Sequence, residues 1–138
     1  MSQENVEIVR RAMDAFNTQD RDRFLSFMDP EIEFESLVEQ KTYRGFAGME
    51  QYRDDIDAVM DDFHTEEDRF LDAGRDRVLH LYRVVGRGAG SGVPVSRNNA
   101  ILWQLRNGKL LKGQVYLDQR EALEAVGLSE QDAHSDTS

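Results

Sequence analysis

Eight side chains able to bind a ligand or move a proton stand on segments otherwise patterned for burial: Ser36, His80, Tyr82, Arg97, Asn99, Trp103, Tyr116 and Asp118. Such a mixture among apolar neighbours is the composition of a small-molecule pocket, in which a few polar groups orient a ligand held by apolar contact. The structural reading of the same residues is as concrete: Tyr82 and Trp103 as core, His80 as a satisfied half-buried side chain, Arg97 with Asp118 as a cross-strand ion pair. Other chemistries lack their residues. Without cysteine there is no disulfide, thiol nucleophile or thiolate metal site. His64, His80 and His134 are too scattered for metal ligation, so no metal is expected. Gly86, Gly88, Gly90 and Gly92 join two strands rather than opening a helix, so they make no phosphate loop. No serine sits in a nucleophile elbow, and no cofactor is expected.

The elements that must position these groups follow from hydrophobic spacing. Val6, Val9, Met13 and Phe16 form one stripe of a first helix, with Ser2 or Asn5 as cap. Residues 17–20 break it, Asp20 caps a short second helix, and Pro30 ends that helix. Residues 31–35 alternate as a half-buried strand. After a loop over 43–48, Met49, Tyr52, Ile56, Val59, Met60 and Phe63 predict a third amphipathic helix. Its acidic residues Asp54, Asp55, Asp57, Asp61 and Asp62 read as a solvated face, with docking to a basic partner as the alternative. Strands are expected near 66–71 and over 77–87, 93–106 and 109–118, then a short helix over 119–126 stopped by Gly127. The fold class is α+β: a curved antiparallel sheet enclosing a small apolar cavity, one domain over 1–128 with 129–138 as a disordered tail.

Asn107-Gly108 decides which strand residues share a face. A two-residue turn sets Arg97 opposite Asp118 and Asn99 opposite Tyr116; a one-residue bulge sets Arg97 against Leu117 and Trp103 against Leu111. In the bulged register Arg97, Asn99, Ile101 and Trp103 share a wall with Gly113, Val115 and Leu117, a mostly apolar surface suited to a small ligand.

At 138 residues and 39% apolar, the chain supports one real core. A formal net charge of −10 disfavours nucleic-acid and anionic-membrane partners. With no apolar run of membrane-spanning length and no leader-like start, a cytoplasmic protein is expected. Lysine occurs only at Lys41, Lys109 and Lys112, and this arginine bias points to a GC-rich bacterial genome.

Several short stretches, in order, resemble the nuclear transport factor two-like superfamily and its SnoaL-like branch. They are residues 8–12 with Phe16-Asn17 and Asp20, Tyr43-Arg44-Gly45, Gly90-Ser91-Gly92, Asn107-Gly108-Lys109, Tyr116-Leu117-Asp118 and residues 121–128. The resemblance implies a cone, with three N-terminal helices on the concave side of a bent sheet, a short C-terminal helix, a pocket open at one end, and a homodimer joined through the sheets. Relatives include ketosteroid isomerases, polyketide cyclases, epoxide hydrolases, dehydratases and non-catalytic proteins. The ketosteroid isomerase set of a tyrosine, a carboxylate base and a protonated aspartic acid meets Ala12, Ser36 and, near its third position, Ile101 in an ungapped alignment, so that mechanism is not expected here. In a SnoaL-like cyclase the acid or base would be Asp118 of the Tyr-x-Asp motif, with His80 as the alternative base if it faces inward. Ser36, Tyr52, Tyr82, Arg97, Asn99 and Trp103 would shape a site for a small apolar metabolite, Arg97 holding a carboxylate or enolate. The alternative is a non-catalytic dimeric module whose cavity its own side chains fill.

Overall fold

A computed structural model describes residues 2–36 and 40–129. The chain opens with α1 (Ser2–Asn17) and α2 (Arg21–Ser26), the latter capped by Asp20, whose carboxylate accepts from the Arg23 amide. β1 (Met28–Ser36) and the short β2 (Lys41–Arg44) lead into α3 (Gly45–Val59). Four long strands follow: β3 (Met60–Gly74), β4 (Arg77–Gly88), β5 (Pro94–Arg106) and β6 (Lys109–Tyr116), before α4 (Gln119–Ala125). They form one six-stranded sheet in the order β2-β1-β6-β5-β4-β3, antiparallel except where β1 runs parallel to β6.

Helices α1 to α3 cover the concave face over a core that includes Val9, Phe16, Ile32, Phe34, Met49, Val78 and Trp103. The opposite face carries a second, smaller cluster of Leu71, Leu79, Leu81 and Ala100 beneath Ala122 and Leu123 of α4. Being covered on both sides, β4 is buried without interruption from Val78 to Tyr82, as a central strand should be.

Several expectations need correction. Pro30 lies inside β1 and does not end α2, which stops at Ser26. Helix α3 ends at Val59, and Met60 and Phe63 belong to β3. Their three-residue spacing imitates a helical stripe because β3 carries a bulge: Asp61 pairs with Arg87 but His64 with Val85, so three steps oppose two, with Asp62 at φ +56°. A second bulge lies between Glu66, opposite Arg83, and Arg69, opposite Leu81, with Glu67 at φ +56°. The acidic face is solvated, as expected, with Asp54, Asp57, Asp61 and Asp62 exposed, and several of its carboxylates form surface pairs: Asp54 with Arg21, Asp55 with Lys41, Asp57 with Arg53, and Asp62 with Arg87.

The turn at Asn107-Gly108 starts in the two-residue register and then departs from both expected ones. Arg106 pairs with Lys109 across a two-residue turn whose central residues both have positive φ, 51° and 74°. The register then slips at Leu111, so Trp103 faces Gly113 and Ile101 faces Val115. The β5 to β6 ladder ends at Ala100 and Tyr116, and Arg97 therefore faces neither Asp118 nor Leu117. The tail from residue 130 on lies outside the described residues.

Candidate functional site

A cavity of about 270 Å³ sits between α3 and the concave face of the sheet, near the lower end of the ~300–1,000 Å³ usual for ligand sites. Its lining is mostly aliphatic, including Ile56, Met60, Val84 and Val115. Ser36, Tyr52, Tyr82, Arg97 and Asn99 bring its polar groups. Behind it lies a narrower void of about 20 Å³, lined by His80 and Trp103 with Phe16, Phe34, Met49 and Thr65. Tyr52, Phe63 and Tyr82 contribute to the walls of both spaces.

The aromatic packing explains the shape. Tyr52 sits against Phe34 at 4.6 Å and Tyr43 at 5.3 Å between ring centroids, and Trp103 against Phe34 at 5.3 Å. Room for the indole comes from Gly113, where a Cβ would lie 2.6 Å from Trp103 Cζ3 and 2.5 Å from Phe34 Cδ1. Three buried polar atoms of residues lining these spaces have no hydrogen-bond partner among the described residues: Asn99 Oδ1, Trp103 Nε1 and His80 Nδ1. Each is a group that a ligand or water stabilises by bonding to it, since an unmet buried donor or acceptor costs about 1–3 kcal/mol.

His80 is fully buried, stacked between Phe70 at 4.5 Å and Tyr82 at 4.6 Å. Its Nε2 lies 2.6 Å from Asp68 Oδ1, which also accepts from the Thr65 hydroxyl at 2.7 Å. Burial pushes the imidazole pKa down and outweighs the opposing pull of the Asp68 carboxylate. For Asp68, burial works upward, but the hydrogen bonds from His80 and Thr65 prevail and hold the carboxyl below its ordinary value. The pair at neutral pH is thus a carboxylate beside a neutral imidazole, with Nε2–H donating to Asp68 and a lone pair on Nδ1.

Arg97 is exposed, lines the larger cavity, and has no ion-pair partner among the described residues. Asp118 does not reach either space. It is exposed and caps α4, its carboxylate accepting from the Arg120 amide at 2.8 Å, which is the work its place one residue before a helix demands. Tyr116 packs on the outer cluster beneath α4. Asp68 and Thr65 were not among the candidate site residues, and Phe63 was read only as part of a helical stripe, because the β3 bulges that turn them inward leave no local signal.

A bent sheet with helices on its concave side and a pocket between them defines the α+β cone class. The model of the SnoaL-like domain matches residues 9–112, and the chain belongs to that family. No curated protein sequence matches it. Among solved structures, a protein of ketosteroid isomerase-like fold from Catenulispora acidiphila, in complex with trimethylamine, superposes with a TM-score of 0.73 at 18% identity, covering 91% of this chain and 95% of that one. A candidate polyketide cyclase from Xanthomonas campestris gives 0.75 at 18% identity over 91% and 98%. TerC co-crystallised with polyporic acid gives 0.73 at 21% identity over 89% and 98%. Among the described residues no helix is long and apolar enough to cross a membrane.

Proposed function

We propose that this chain binds a small, largely apolar molecule bearing one anionic or carbonyl oxygen, and that His80 serves as the base of a cofactor-independent proton transfer on it. The observation that carries this reading is the neutral His80, held by Asp68 through Nε2, with Nδ1 lacking a partner among the described residues, behind an apolar cavity whose rim holds Arg97, unpaired among those same residues. Arg97 receives the anionic oxygen in a chain of net charge −10, which otherwise repels such ligands. The smaller void exceeds the ~10–15 Å³ that one water needs, and its two unpartnered nitrogens are complementary: Trp103 Nε1 donates and His80 Nδ1 accepts. A water there carries the proton between His80 and the ligand. The reaction class is isomerisation, cyclisation or hydrolysis, in keeping with the names of the cyclase-like structural neighbours. The protein acts as a homodimer, as the family resemblance implies.

A thermal-shift screen tests the binding half with aromatic carboxylates, polyketide-like aromatics, steroids, terpenoid epoxides and fatty acids. A ligand at about 100 times its Kd adds about 2.7 kcal/mol to stability. Arg97→Ala should remove the shift from anionic hits and spare neutral ones, and His80→Gln should keep binding while abolishing exchange of the ligand's acidic C–H in deuterated water. The small size of the deep void, packed by Phe34 and Trp103, favours the second reading, a non-catalytic module with a filled cavity. Silence across the whole panel would establish that reading and refute the first.

A further inference from the structure

Asn17 closes α1 and Thr65 lies on β3, yet both are joined to His80 by an unbroken chain of hydrogen bonds. Asn17 Oδ1 accepts from the Thr65 backbone amide at 3.0 Å, and Asn17 Nδ2 donates to Thr65 Oγ1 at 3.0 Å. The backbone N–H can only donate, so it settles which end of the carboxamide is oxygen. The NH2 group can only donate in turn, so the Thr65 hydroxyl receives that bond on a lone pair and directs its own proton onward. It donates to Asp68 Oδ1 at 2.7 Å, the same oxygen that meets His80 Nε2 at 2.6 Å.

Every step in this chain has one polarity, from Asn17 to Thr65 to Asp68, and its last member must accept from the imidazole. The bulge at Glu67 makes the chain possible. Thr65 and Asp68 are three residues apart, which on a regular strand places them on opposite faces; the extra residue turns both inward.

We infer that Asn17 and Thr65 are positioning residues that orient the group at position 68 and so reinforce the His80 tautomer that the Asp68 carboxylate selects, and with it the imidazole nitrogen offered to the cavity. Its meaning for catalysis rests on the function proposed above, but its test does not.

An ionised Asp68 would favour the same tautomer unaided, so the relay is isolated by Asp68→Asn, which makes the central group reversible. In that variant the Thr65 proton should keep the amide oxygen toward both Thr65 and His80, leaving the proton on Nε2. Adding Asn17→Asp keeps an acceptor for the Thr65 amide but replaces the NH2 donor with oxygen. The Thr65 hydroxyl then turns its proton to position 17 and presents a lone pair to position 68. The amide rotates its NH2 toward Thr65 and His80, and the imidazole proton moves to Nδ1.

The readout is nitrogen NMR of histidine-labelled protein at pH 8, which separates protonated from bare ring nitrogens. Wild type and Asp68→Asn should both show Nε2–H, and Asn17→Asp/Asp68→Asn should show the two signals exchanged. The same tautomer in both variants would overturn the inference. So would Nδ1–H in Asp68→Asn alone, and that arm decides the matter if the double variant does not fold. The expected tautomers together with silence in the ligand screen would leave the relay standing and refute only the proposed function.

Discussion

Lowering the pH should destabilise this protein through His80, and the sign of the effect distinguishes a neutral imidazole from an imidazolium paired with Asp68. A histidine whose folded pKa lies below its unfolded value near 6.5 binds fewer protons folded than unfolded, so its stability contribution is complete above pH 6.5 and lost as pH falls. The limiting slope is about 1.4 kcal/mol per pH unit, and at pH 5.5 the loss relative to pH 8 approaches about 1.4 kcal/mol while the folded imidazole stays neutral. Asp68 and Asp55 do not intrude. Their folded pKa values are depressed, Asp55 to about 2, so their contributions hold above pH 3.8 and disappear only in stronger acid. His64 opposes: its pKa is raised by the Asp62 carbonyl and Glu66, so its contribution is present below 6.5 and lost as pH rises.

The comparison is therefore with His80→Gln, which can still donate to Asp68 but does not titrate, while the other histidines act alike in both proteins. Urea unfolding at pH 8.0 and 5.5 should show wild type losing more than the variant, by at most about 1.4 kcal/mol. Equal losses, or a smaller loss in wild type, would mean that His80 is protonated in the fold, and the lone pair on Nδ1 assigned above would not exist.

Gly113→Ala should cost about 1–3 kcal/mol, because the added methyl meets the Phe34 and Trp103 rings at 2.5 and 2.6 Å. Trp103 is the sole tryptophan, so a lowered urea midpoint with altered native fluorescence checks it. Asp118→Ala should lose about 1 kcal/mol of α4 capping and leave every ligand-induced thermal shift unchanged; loss of binding would return Asp118 to the site.

Much of the fold was legible because its signals are local. The stripe Val6, Val9, Met13 and Phe16 became α1, Asp20 capped α2, and Asn107-Gly108 closed a hairpin. The cavity wall was partly legible for the same reason: strand alternation placed Asn99, Ile101 and Trp103 on one face whichever register applied. Asp118 was misread because a carboxylate just after a strand serves equally as a pocket acid or a helix cap, and only the placement of α4 on the outer face distinguishes them.

Composition, periodicity and turn chemistry thus determined the α+β class, the order of elements and the absence of a thiol site, since each depends on residues close in the chain. The tertiary structure alone decided the site. Bulges at Asp62 and Glu67 reverse the inward and outward parity of β3, and only that reversal brings Thr65 and Asp68 to His80 and Asn17 to Thr65, across 48 residues of sequence. A bulge is stabilised by pairing with the neighbouring strand, so a single strand read alone carries no trace of it.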